Sequence, residues 1–500
     1  MSERPGRPHR PGARELLEGV LDAGTFVSWD EAPLDVAEPG SAYAAELAAA
    51  AERAGTDEAI ITGEGRIHGH RVAVVVGEFR FLAGSIGRAA AERVTLAFER
   101  ATRERLPLFA APASGGTRMQ EGTPAFVTMV KISGAVTAFK DASLPYIAYL
   151  RHPTTGGVLA SWGSLGHVTV AEPGATIGFL GARVFEALYG EAFPDDVQTA
   201  ENLYAHGLLD AVQPMEALPA IAGRFLDIVL TPPDLTPVPE VPKEPLADVP
   251  AWESITRSRD PERPGVRALL KLGASDVVPL FGTGAGEWDR SLFLAVARFE
   301  GMPCIVLGQD RRAERAEAPL GPSGLRVARR GMKLATELWL PLVSVIDTAG
   351  AALSKEAEEG GMAGEIARCL AELVVLPVPT VCVLLGQGTG GGALALMPAD
   401  RVVCAQHSWL SPLPPEGASA ILHRTPDRAP EMATQQAVRS LDLLEAGIVD
   451  RIVAEHPDAA EEPEAYCRRM AQAIRHELAD LTALEPADRL AARHARWRAL

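Results

Sequence analysis

Leu144-Pro145-Tyr146-Ile147-Ala148-Tyr149-Leu150-Arg151-His152-Pro153-Thr154-Thr155-Gly156-Gly157-Val158 is the stretch on which the fold turns. Its apolar run at 146–150 has the length of a buried strand, and the paired glycines behind it form a turn. The pattern returns downstream. Pro145 and Pro379 lie 234 residues apart, as do Thr155-Gly156-Gly157 and Thr389-Gly390-Gly391, and Leu106-Pro107-Leu108 and Leu340-Pro341-Leu342. A constant spacing means that the segments align without a gap, so the chain carries a domain-sized duplication.

The helix before each Leu-Pro keeps its period. Val94, Phe98 and Ala101 share one face, and Ala328, Met332 and Ala335 stand at the shifted places. Gly207-x-x-Asp210 returns as Gly447-x-x-Asp450, now 240 residues apart, which places a short insertion between. Each copy reads as helix, strand (108–111; 342–346), glycine loop, helix, strand (146–150; 381–385), glycine turn and strand (167–170; 401–405). Strands alternating with helices predict an α/β fold with parallel strands buried by flanking helices. Between the copies runs TPPDLTPVPEVPKEPLADVP, whose prolines favour an extended linker. The expected organisation is an N domain at 1–230, a linker at 231–250 and a C domain at 251–500.

Composition narrows the class. Among 500 residues, 48 Lys and Arg face 65 Asp and Glu, a formal charge of −17 that repels nucleic-acid backbones and anionic membranes. No apolar run nears the roughly 20 residues of a membrane span, and MSERPGRPHRPGARELL lacks the apolar core of a secretory signal. A cytoplasmic protein is expected. Cys304, Cys369, Cys382, Cys404 and Cys467 show no C-x2-C pair, so they read as buried small hydrophobes, with no zinc ribbon and no metal expected.

The chemistry-bearing signal is glycine. Ser114-Gly115-Gly116, Thr155-Gly156-Gly157, Thr348-Ala349-Gly350 and Gly388-Thr389-Gly390-Gly391-Gly392 each follow a strand. Such turns let main-chain N–H groups at a helix start converge on a developing negative charge. No H-E-x-x-H, G-x-S-x-G or Walker lysine pattern occurs. Gly282-Thr283-Gly284-Ala285-Gly286 misses the dinucleotide spacing and reads as a loop, and His68 and His70 read as a polar hairpin tip.

With those residues in view, the chain resembles a known family. Phe81-Leu82-Ala83-Gly84-Ser85-Ile86-Gly87, SGGTRMQEG at 114–122, LPYIAYLRHPTTGGV at 144–158 and AEPGATIGF at 171–179 resemble the beta subunit of the bacterial acetyl-CoA carboxylase carboxyltransferase. RSRDPERP at 257–264, IDTAGA at 346–351, EAEEGGMAGEIARCL at 356–370, GQGTGGGALAL at 386–396 and PPEGASAIL at 414–422 resemble its alpha subunit. The chain is similar to the two subunits fused, beta first. The resemblance implies two tandem crotonase-like (ββα-superhelix) domains. It also implies transfer of a carboxyl group from carboxybiotin on a separate carrier to the α-carbon of an acyl-CoA, with acetyl-CoA to malonyl-CoA as the default.

Carried over residue by residue, the family's thioester-side glycines match Gly156 and Gly157, and its biotin-side glycines match Gly391 and Gly392. Gly115, Gly116, Arg118, Lys131 and Gly350 fall at substrate-binding positions, with Arg118 and Lys131 the local cations for CoA. Arg257 and Arg259 are weaker candidates. The implied partners are a biotin carboxyl carrier protein and a biotin carboxylase, because the chain has neither a Met-Lys-Met attachment motif nor an ATP-grasp signature. A homo-oligomer, at least a dimer, is also implied. The family's zinc ribbon does not carry over, its D-T-P-G-A is Asp347-Thr348-Ala349-Gly350-Ala351 here, and its acidic residue before the biotin-side glycines is Gln387. A biotin-linked acyl-CoA decarboxylase or a non-catalytic CoA-binding scaffold would fit the same pattern.

Overall fold

The computed structural model describes residues 10–236, 246–315 and 318–500. The middle of the expected linker, 237–245, lies outside the described residues. Contacts divide the chain into two units, Met1–Asp227 and Ile228–Leu500.

The first unit contains β1 (Val27–Ser28), β2 (Ile60–Ile67), β3 (His70–Gly77), β4 (Leu108–Ala111), β5 (Tyr146–Leu150), β6 (Thr154–Thr155), β7 (Val168–Ala171), β8 (Ile177–Gly178) and β9 (Ala211–Val212). The main sheet runs β1-β2-β3-β4-β5-β7-β9, and β6 pairs with β8 beside it. β2 and β3 form an antiparallel hairpin, and from β3 onward every pairing is parallel. His68 and Gly69 close the hairpin with φ of 49° and 78°, the double positive φ that matches strand twist in a two-residue turn. Both histidines of the tip bond Asp227, His68 Nδ1 at 3.3 Å and His70 Nε2 at 2.7 Å.

Helix Arg88–Glu104 joins β3 to β4, and helix Gly122–Asp141 joins β4 to β5. Val94, Phe98 and Ala101 are buried as their period requires, and Phe98 meets Phe139 and Tyr146 edge to face at 5.6 and 5.3 Å. The helix stops at Arg105, a non-glycine residue at φ 52°, because Leu106-Pro107 must turn back into β4.

The second unit repeats the plan with β10 (Asp276–Leu280), β11 (Leu292–Phe299), β12 (Met302–Gln309), β13 (Leu342–Thr348), β14 (Thr380–Thr389), β15 (Arg401–Ala405), β16 (Trp409–Ser411) and β17 (Arg451–Val453). The order is β10-β11-β12-β13-β14-β15-β17, with β16 on the end of β14. β11 and β12 form the matching hairpin, turned by Glu300 and Gly301 at φ 41° and 90°. Ala328, Met332 and Ala335 are buried in helix Pro322–Leu338, which stops at Trp339 at φ 53°, 234 residues beyond Arg105. All five cysteines are buried, and burial raises each thiol above its ordinary range.

One local expectation is corrected. Gly388 does not lie in a turn, because β14 runs on to Thr389, where Gln387, Gly388 and Thr389 pair with Trp409, Leu410 and Ser411 of β16. Glycine is needed there because a Cβ would lie 2.8 Å from the Trp409 carbonyl oxygen. The Gly282–Gly286 stretch is the loop between β10 and β11, as its spacing predicted.

Candidate functional site

Each unit brings two loops together at the ends of its central strands. In the first unit the loop after β4 is held to the next one by main-chain bonds: Ser114 N–H donates to Pro153 O at 2.6 Å, and Thr155 N–H donates to Ser114 O at 3.0 Å. Ser114 Oγ accepts the Gly116 N–H at 3.0 Å, which bends the loop into φ 110° at Gly116. Gly156 has φ 65°, and a Cβ on it would lie 3.2 Å from Gly116 Cα, so both glycines are required by backbone shape and close approach.

The Gly156 N–H is itself used, donating to Gly178 O at 3.2 Å. Gly157 follows in a helical turn closed by Ala160 N–H donating to Gly156 O at 3.0 Å, so the Gly157 N–H has no acceptor within its own turn. A Cβ on Gly157 would lie 3.3 Å from Met129 and from Thr117 Oγ1.

The second unit copies this device. Thr348 Oγ1 accepts the Gly350 N–H at 3.0 Å, Gly350 has φ 138°, and Gly390 has φ 61°. Helix Gly390–Leu394 starts after Thr389, so its first N–H groups, those of Gly390, Gly391 and Gly392, lack intrahelical acceptors. The positive-φ pairs Gly116/Gly350 and Gly156/Gly390 keep the spacing of 234 residues. By that register Gly157 corresponds to Gly391, and Gly392 corresponds to Val158. Gly390, named in the glycine stretch but not among the expected catalytic residues, is the residue that turns the chain.

A Cβ on Gly157, Gly350, Gly391 or Gly392 would first meet Thr117, Met129, Thr389, Ile366 or Ala351. What both turns offer is main-chain N–H donors aimed from helix starts, an arrangement suited to an oxyanion.

The expected cations fare differently. Arg118 is fully buried; its guanidinium grips Glu58 with two nitrogens and donates to Ser85 O at 2.7 Å. Its main-chain N–H donates to Ile86 O at 3.0 Å, and Ile86 N–H donates to Gly116 O at 2.9 Å. These bonds make Arg118 a strut for the loop bearing Gly115 and Gly116, with its guanidinium turned to Glu58 and Ser85. Tyr43 extends the brace by donating to Glu121 Oε1 at 2.6 Å, and burial, then that bond, raise the phenol above its ordinary value. Lys131 pairs with Glu92 and is partly exposed. Gly115 donates its N–H to Ala83 O at 2.9 Å and matches Ala349, so a glycine is not essential at that place in the repeat.

Arg257 pairs with Glu253, while Arg259 grips Glu416 at 2.6 and 3.1 Å and donates to Gln387 Oε1 at 3.2 Å. Arg259 thus links Glu416 to Gln387, and its bond holds the Glu416 carboxyl below its ordinary range.

A carboxyl transferase domain model matches residues 13–488. The chain is 58% identical over 484 residues to the probable biotin-dependent acyl-coenzyme A carboxylase beta3 subunit of Mycobacterium tuberculosis (strain ATCC 25618 / H37Rv), covering 97% of each. It is 36% identical over 524 residues to acetyl-coenzyme A carboxylase carboxyl transferase subunits beta/alpha of Parafrankia sp. (strain EAN1pec), covering 97% of this chain and 85% of that one. The transcarboxylase 12S core, solved with methylmalonyl-coenzyme A and methylmalonic acid bound, aligns over 95% of this chain and 90% of its own with a TM-score of 0.73. At 20% identity that likeness is one of fold.

Proposed function

Because the chain belongs to the carboxyl transferase domain family, within the biotin-dependent acyl-CoA carboxyltransferases, we propose that it moves a carboxyl group from carboxybiotin to the α-carbon of acetyl-CoA or another short acyl-CoA, giving malonyl-CoA or a homologue. Both reactants are substrates here, the biotin arriving on a separate carrier protein charged by a biotin carboxylase. The observation that carries the reading is the pair of glycine turns, one in each unit, each with N–H groups at a helix start that have no intrahelical acceptor.

Two anions form during the reaction. Cleavage of the N–carboxyl bond leaves charge on the ureido oxygen of biotin, and loss of the α-proton leaves it on the thioester enolate oxygen. The Gly157 N–H serves the enolate, and the Gly391 and Gly392 N–H groups serve the ureido oxygen. The biotin nitrogen freed of its carboxyl group takes the α-proton, and the enolate carbon then bonds to the released carbon dioxide. In this scheme no protein base is needed, because the biotin nitrogen receives the proton. Loss of one oxyanion donor typically costs on the order of 3 kcal/mol, so two turns supply a large share of the barrier reduction.

The purified chain, given carboxybiotinylated carrier and a series of acyl-CoA thioesters, should form the carboxylated acyl-CoA. Binding of CoA without any turnover would support a scaffold instead, and turnover in the carboxylating direction too slow to measure beside rapid loss of carbon dioxide from the product would support a decarboxylase. The active form should be a homo-oligomer, and light scattering on a fully active monomer would refute that part.

A further inference from the structure

We propose that Gln309 is the positioning residue of the second glycine turn, its one side-chain amide tying the Gly391-Gly392 backbone to the end of β13; this rests on the carboxyl-transfer reading. Gln309 ends β12 and is 1% exposed. The parallel ladder between β12 and β13 has its last pair at Gly308 and Val345. Beyond it the Asp347 N–H donates to Gln309 Oε1 at 3.1 Å.

On the other side, a regular helix would give the Gly392 carbonyl the N–H of Leu396. That N–H turns to Ala393 O at 3.1 Å, and Gln309 Nε2 donates to Gly392 O at 2.7 Å. A carboxamide has both a donor and an acceptor to serve the two main-chain groups. Methionine would serve neither, and glutamate only the first. The fit around Gly392 is tight, since a Cβ there would lie 3.1 Å from Ala351 N.

The first unit solves the same junction without a side chain. The hairpin turns His68-Gly69 and Glu300-Gly301 lie 232 residues apart, which places Gly77 at the position of Gln309, and Ala113 stands 234 residues before Asp347. A Cβ on Gly77 would lie 2.6 Å from Ala113 N, so backbone packs on backbone there. A lesion at Gln309 therefore acts on one turn alone, and on the carboxybiotin half of the reaction.

The test compares Gln309→Met and Gln309→Glu with the parent chain. In Gln309→Met, kcat for carboxyl transfer should fall on the order of 10²-fold, as expected for a misplacement of about 1 Å, with KM for acyl-CoA nearly unchanged. Carboxybiotin decarboxylation without acyl-CoA should fall in step, while solvent exchange of the acyl α-protons should persist. Hydrogen exchange should speed up in peptides containing Asp347 and Leu396 and nowhere else. Gln309→Glu, which keeps the bond from Asp347, should accelerate exchange at Leu396 only, and it carries the comparison if the methionine variant does not fold. Unchanged kcat, unchanged exchange at both places, or equal loss of both half-reactions overturns the proposal. A parent chain that transfers no carboxyl group, with the local exchange difference still present, would sink the functional reading and leave the clamp standing.

Discussion

Replacing Arg118 by methionine separates a strut from a ligand. The guanidinium is fully buried, holds Glu58 through two nitrogens and caps Ser85 O at 2.7 Å, and the Glu58 side chain is itself only 3% exposed. Removing one partner of such a pair leaves an uncompensated buried charge, typically at a cost of 3–5 kcal/mol. For a unit the size of Met1–Asp227 each kcal/mol lowers the midpoint by about 2–4 °C, so the first unit should melt roughly 6–20 °C earlier. Calorimetry should show that shift in one transition, with the second unit's transition unmoved. Adding Glu58→Leu should restore part of the loss, because an apolar pair of similar volume is often tolerated where half an ion pair is not. Steady-state kinetics well below both transitions should then give a KM for acyl-CoA close to that of the parent. A variant with unshifted melting and a KM raised on the order of tenfold would refute the strut and return Arg118 to the substrate.

Gly157→Val should suppress solvent exchange of the acyl α-protons, and Gly392→Val should suppress carboxybiotin decarboxylation, each on the order of 10²–10³-fold with far-UV dichroism unchanged; near-normal product formation by both would reject the two-turn mechanism. Burial alone would raise the Glu455 carboxyl, but the charge and hydrogen bonds of Arg263 outweigh it and hold it below the ordinary value. The stability this confers is complete above the usual glutamate pKa near 4.3 and is lost as pH falls through the lower folded value, so acid titration of Glu455→Gln should show a flatter decline than the parent in that window.

Much of this was legible in the residues because the duplication leaves two readings of each turn. The spacing of 234 residues carries through to backbone torsions, with Arg105 and Trp339, Gly116 and Gly350, and Gly156 and Gly390 all at positive φ in matched pairs. Helix faces were legible for the same reason, since Phe98 and Met332 answer to one period. Partners distant in sequence were not. Arg118 and Glu58 are 60 residues apart, and nothing local in GGTRMQEG signals that a carboxylate from before β2 will fill its fork. Gly388 misled because a glycine before a glycine turn reads as turn, whereas β16 arrives from outside the window to extend the strand. Gln309 was silent because its importance depends on where two neighbouring hydrogen-bond patterns stop.

The chemical groups assigned to Gly157 and Gly391 belong to the main chain, and that changes what inheritance can do to them. A codon change can swap a serine or histidine nucleophile for something inert, but an amide donor is present in every residue the genetic code specifies except proline. At these positions selection therefore acts on the path of the chain, through substitutions that fill the narrow gap beside Met129 and Thr117 or beside Ile366, and never on the identity of the reacting group. Random mutation would erode such a site by degrees, and a second substitution nearby that restored the chain path would restore the donor intact.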